Sequence, residues 1–251
     1  MTARQRGWRV PTALVALSLI PVLAGTARLV ELGGGPAVIP ADARFAASPL
    51  PVAVHIVCAA VYAILGALQF AAGFRRRRPG WHRVAGRVLV VAALGVASSA
   101  LWLTLFFPPQ EDSGPLLYVL RLFFVPAMVA SLVLGVAAVR RGDVATHRAW
   151  MTRAYAIALA AGTQAFTEGV GEGVFGTSAL VLDLSRGAAW VINLVVAEWV
   201  IRRRPVGGGA GRLGGGAPRL TGGAPRLTGG APRLAGARRQ RPAATLVGDR
   251  P

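Results

Sequence analysis

Residues 75–107 read RRRRPGWHRVAGRVLVVAALGVASSALWLTLFF, and this stretch decides the fold. Six arginines fall in its first thirteen positions, and the twenty that follow carry no charge. An uncharged apolar run of about 20 residues is the length an α-helix needs to cross the hydrocarbon core of a bilayer. The apolar residues form a solid block and do not alternate, so the run does not read as a half-buried strand. Arginines crowded at one end mark that end as cytoplasmic.

Comparable runs lie on either side. Spans are predicted at 10–30, 51–74, 84–107, 116–139, about 148–170 and about 184–201. The last two are interrupted by Gln164, Glu168, Asn193 and Glu198. Basic residues gather in alternate connections. Arg4, Arg6 and Arg9 precede the first span, Arg75–Arg78, Arg83 and Arg87 open the third, Arg140, Arg141, Arg148 and Arg153 open the fifth, and Arg202–Arg204 follow the sixth. The other connections hold only Arg44 and Arg186, among Glu31, Asp42, Glu111, Asp112, Glu172 and Asp183. The expected protein is an all-α, multi-pass helix bundle of the bacterial plasma (inner) membrane, with both termini in the cytoplasm. The N-terminal stretch, with Ala24-Gly25-Thr26-Ala27 after its apolar run, also fits a signal peptide, whose removal would leave five spans.

The composition agrees. The chain is 54% hydrophobic, against about 45–50% for soluble domains. Its net charge of +18 suggests nucleic acid only until the charge is located. Residues 202–251 hold eleven arginines and one acid, Asp249, and the rest sits in short loops, so no nucleic-acid partner is expected. The domain boundary falls there: 1–201 as the membrane bundle, 202–251 as a tail. The tail repeats GGAPRL with no apolar face, which predicts disorder and electrostatic contact with anionic lipid headgroups. The single cysteine, Cys58, excludes an intrachain disulfide and reads as a small buried hydrophobe.

An internal repeat is visible at an offset of 65 residues. RRRRPGWHR at 75–83 aligns with RRGDVATHR at 140–148, placing His82 over His147. The same offset aligns the start of the second span with that of the fourth. The second to fifth spans then form a four-helix core of two parallel hairpins. Gly66, Gly95, Gly135 and Gly162 would let its backbones approach. Gly142 and Asp143 are the expected stop and cap around the turn before His147. Helix N-termini and neighbouring arginines disfavour imidazolium, so His82 and His147 are expected to be neutral. Two neutral imidazoles related by the repeat suit the axial positions of a haem b iron, or a quinone headgroup. As plain interfacial residues they would sit beside Trp81 and Trp150.

A second polar group lies toward the other face: His55, Arg121, Gln164 and Glu168. Ionisable residues inside spans point to function or to a structural pair, and Arg121 with Glu168 is the expected pair. Gly169, Gly171 and Gly173 read as an external turn. No nucleophile triad, HExxH, Walker loop or GxGxxG motif is present, and no catalytic residue is assigned.

At QFxxGFRRRRPGWHRVAGR and RRGDVATHRAWMTRAYA the chain resembles bacterial membrane proteins called domain of unknown function 2306. The matching positions are His82, Arg83, Gly86 and Arg87, then His147, Arg148, Trp150, Met151, Arg153, Tyr155 and Ala156. The likeness covers about 51–200 and implies a membrane bundle with no established activity. Where such proteins commonly carry an Arg further along the fifth span, this chain has Gly162–Glu168. A looser analogy, through paired histidines, is to four-helix cytochromes b of the ascorbate-ferrireductase type, which use two pairs. Two functions are therefore carried forward. One is haem-b or quinone-linked electron transfer at His82 and His147. The other is a non-redox transporter or scaffold using the Arg121 group.

Overall fold

The computed structural model describes residues 3–203 except 41 and 46, and the side chains of 3–7, 72, 74 and 75 are not described. The expected disordered tail, from residue 204 onward, lies outside the described residues. The helices are α1 (Ala3–Leu32), α2 (Leu50–Gln69), α3 (Ala72–Arg77), α4 (Pro79–Phe106), α5 (Pro115–Arg140), α6 (Val144–Ala158), α7 (Ala160–Phe175) and α8 (Ala179–Arg202). A 3-10 turn, Ala43–Phe45, lies between α1 and α2, and no strand occurs among the described residues.

Five of these helices (α1 from Trp8, α2, α4, α5 and α8) are long and apolar enough to cross a membrane. The other expected span is not a single helix. Residues expected to form one helix at 148–170 instead form α6 and α7, of 15 and 16 residues, parted at Leu159. Side-chain contacts show that the two run in succession antiparallel to α8. Arg153 of α6 pairs with Glu198 near the end of α8, whereas Glu168 of α7 pairs with Arg186 nearer its start. The interruption leaves helix polar groups to be satisfied inside an apolar layer. Asn193 of α8 does part of this, donating to the Ala156 carbonyl at 3.1 Å and accepting from the Thr163 hydroxyl at 2.9 Å.

Helix ends follow the local chemistry. Proline opens α4 and α5 and stands second in α2, where a missing N–H costs nothing. Gly142, at φ 78°, takes the left-handed conformation that ends α5, and Asp143 caps α6 by accepting from the Thr146 N–H at 2.9 Å. Ser178 caps α8 in the same way, so that helix starts at Ala179, earlier than the expected 184. The turn expected at Gly169–Gly173 is helix instead. Gly171 faces Ser185 so closely that a Cβ would lie 2.0 Å from its hydroxyl, so the glycine serves close packing of α7 on α8.

The hairpins pack as pairs, α2 on α4 and α5 on α6, with α1 against α2 and α7, and α8 against α5, α6 and α7. The starts of α2 and α5, and of α4 and α6, are each 65 residues apart. The core holds Tyr62, Leu89, Phe124, Met128, Tyr155 and Trp190. Tyr155 lies against Gly66 and donates to the Ala63 carbonyl at 2.8 Å, and a Cβ on Gly66 would meet its ring at 2.4 Å. Gly162 likewise meets the α1 backbone at Leu17. The outside is as apolar as the inside: Phe123 is 66% exposed and Val195 62%. A surface of that kind belongs in lipid.

Candidate functional site

A cavity of about 1070 Å³ lies at the end of the bundle opposite the arginine-rich connections, hereafter the far end. It reaches from the loops at Asp42–Phe45 and Pro108–Gly114 inward to Val96, Met128 and the break between α6 and α7, where Ala158, Ala160 and Ala161 line it. All four residues of the second polar group, His55, Arg121, Gln164 and Glu168, line it as well.

The ion pairs differ from the expected ones. Glu168 does not pair with Arg121. Its partner is Arg186, whose Nη2 donates to Glu168 Oε2 at 3.2 Å and to Asp112 Oδ2 at 2.6 Å. Arg186 is 8% exposed and sits on the face of α8 turned to α5 and α7, so it reaches Glu168 from the adjacent helix. Two residues earlier read as loop charges therefore belong to the bundle. The other is Asp183, fully buried, which accepts from the N–H groups of Gly114 and Leu117, both at 3.0 Å. It thus caps α5 from a neighbouring helix. The signal for both was Ser178: a helix capped there carries Asp183 and Arg186 three apart on one face.

That arrangement leaves Arg121 alone. Among the described residues it makes no ion pair and no hydrogen bond. It is half-buried on the first half of α5 and feels the charges of Arg186, Arg44, Asp183 and Asp112. The other lining arginines are engaged: Arg28 with Glu31, Arg44 with Asp42, and Arg186 as above. Gln164 donates to the Arg186 carbonyl at 3.3 Å. His55 lies 3.1 Å from the Ser99 hydroxyl through Nδ1. Phe124 and Trp190, stacked at 4.8 Å, and Met128 form an apolar wall. In the rim, the hydrogen bond from Arg44 holds the Asp42 carboxyl below the usual carboxylate range.

His82 and His147 are elsewhere. Each is the fourth residue of its helix, α4 or α6, at the basic end, and neither lines the cavity. His147 Nδ1 is 2.8 Å from the Gly135 carbonyl of α5. The helices that carry them pack mainly on other partners, α4 on α2 and α5, α6 on α5 and α8. No group of three or more metal-ligating side chains occurs among the described residues.

A membrane bundle with a large cavity lined by both polar and apolar side chains is the class that fold and site define. The chain belongs to the family described as predicted membrane protein (DUF2306), whose model matches residues 52–201 and so spans α2 to α8. No curated protein and no solved structure matches the chain.

Proposed function

We propose that this protein binds a small organic anion in the far-end cavity, as a membrane transporter does, with Arg121 as the anion-binding group. The observation that carries this is the unpaired Arg121 guanidinium on the wall of the cavity. An uncompensated charge inside a membrane protein costs several kcal/mol, and three neighbouring arginines all have carboxylate partners. A bound carboxylate or similar anion supplies the missing partner through paired N–H donors.

Two further features favour this reading. The start of α7 lines the cavity at the helix break, and half-helix N-termini carry partial positive charge toward anionic substrates in transporters. The Phe124, Trp190 and Met128 wall suits an apolar body on the ligand. The arginine distribution favours a cytoplasmic basic end, and on that reading the cavity opens to the outside. The test uses the full chain in lipid nanodiscs, with benzoate as probe and calorimetry as readout. Saturable binding lost in Arg121→Gln is expected. Binding unchanged in that variant would refute the assignment.

A second reading keeps His82 and His147 as ligands of haem b or contacts of a quinone. It is favoured by their equivalent first-turn positions and by the Gly135 carbonyl, which accepts from His147 Nδ1 and leaves Nε2 available. A reduced-minus-oxidised spectrum of protein expressed with haem precursor tests it. A b-type signal lost in His82→Ala and His147→Ala supports the reading, and a flat spectrum from folded protein removes the haem.

A further inference from the structure

His55 and Ser99 carry an additional consequence for the cavity. The Ser99 hydroxyl has one proton and lies 2.6 Å from the Gly95 carbonyl and 3.0 Å from the Val96 carbonyl. That proton goes to one of these carbonyls or to His55 Nδ1, 3.1 Å away. With the hydroxyl on a carbonyl, Ser99 accepts from His55 Nδ1–H. That tautomer leaves the Nε2 lone pair on a side chain that lines the cavity.

We infer that the cavity takes up its anion together with one proton, the anion on Arg121 and the proton on His55 Nε2. The inference rests on the proposed anion site and adds its coupling. The balance is simple: a proton passes from solvent to Nε2 as the anion enters, and no other bond changes. With the cavity empty, a second cation beside Arg121 is disfavoured by repulsion. With an anion bound, imidazolium gains an opposite charge and a donor for the anion's second oxygen.

The charged surroundings allow this. From α5 the charged group acting on His55 is Arg121, and the cavity's arginine from α1, Arg28, is already paired with Glu31. From α4 the contact is Ser99, with no titratable side chain in that half of the helix. From α6 the titratable group is Tyr155, which is engaged with Ala63. No carboxylate among these is unpaired, so the ligand is the group that draws the proton in.

The experiment measures benzoate affinity of the full chain in nanodiscs from about pH 6 to about pH 9, where a carboxylate probe stays ionised. Calorimetry in buffers of different ionisation enthalpy counts the protons taken up. With one proton per anion, affinity falls about tenfold per pH unit above the titration range of His55. His55→Gln, which keeps a donor for Ser99, should bind more weakly, with no proton uptake and a flat pH profile. Arg121-dependent binding without proton uptake would overturn the coupling and leave the anion site standing. Absence of Arg121-dependent binding for both benzoate and octanoate would overturn both.

Discussion

The two hairpins share a backbone plan and differ in chemistry. Positions 65 residues apart place Ile56 of α2 opposite Arg121 of α5, Leu103 of α4 opposite Glu168, and Ser99 opposite Gln164. In the first hairpin α4 runs unbroken for 28 residues, whereas its counterpart divides at Leu159 into α6 and α7. The first hairpin is thus an apolar frame that contributes one histidine to the cavity. The second carries the charge and the interruption, which Asn193 of α8 helps to compensate. Polar groups inside a membrane persist where function or pairing holds them. Here pairing accounts for Glu168 and Arg186, and among the described residues Arg121 is the cavity arginine without a carboxylate partner.

The largest effect should come from removing the second hairpin's tie to α8. Arg186→Ala leaves Glu168 and Asp112 without their partner and should cost about 3 kcal/mol, seen as a fall in thermal midpoint of the detergent-solubilised protein. Asp183→Ala strips the cap from α5 and leaves two N–H groups unsatisfied, at about 2 kcal/mol. Hydrogen exchange should show the loss at Gly114 and Leu117 first. Asn193→Ala probes the break itself. Loss of its bonds to Ala156 and Thr163 should cost about 1 kcal/mol and raise exchange around Leu159 while leaving α4 unchanged. Equal loosening of α4 would erase the contrast between the hairpins.

Much of this was legible in the sequence. Unbroken apolar blocks gave the spans, arginine clusters marked one end, and the repeat anticipated the common starts of paired helices. The turn at Gly142-Asp143 followed from residue type alone. The break at Leu159 was not legible, because AIALAAG at 156–162 and its flanks contain no proline and its glycine falls after the break. The partner of Glu168 was not legible for a different reason. Which of two arginines meets a carboxylate depends on how α5, α7 and α8 are arranged, and order along the chain does not encode that. Glycines at 169, 171 and 173 suggested a turn because their use, close approach to α8, exists only once the neighbour is in place.

The smallest expected effect concerns the rim. Asp42 has its pKa lowered by Arg44, so the stabilisation it lends is present above the ordinary carboxylate range and is lost as pH falls through the depressed value. Acidification, or Asp42→Asn at neutral pH, should therefore speed exchange at Arg44 and Phe45 without shifting the unfolding midpoint of the bundle. A global shift would mean that the rim is part of the core.

The most direct measurement compares two arginines in one cavity by thermal unfolding, with and without benzoate. Arg186→Gln should melt well below the wild type. Arg121→Gln should melt at or above the wild-type temperature, because it removes an unpaired charge, and should lose the stabilisation that benzoate gives the wild type. Destabilisation of Arg121→Gln as large as that of Arg186→Gln, or full retention of the benzoate effect, would contradict the assignment of Arg121 as the anion-binding group.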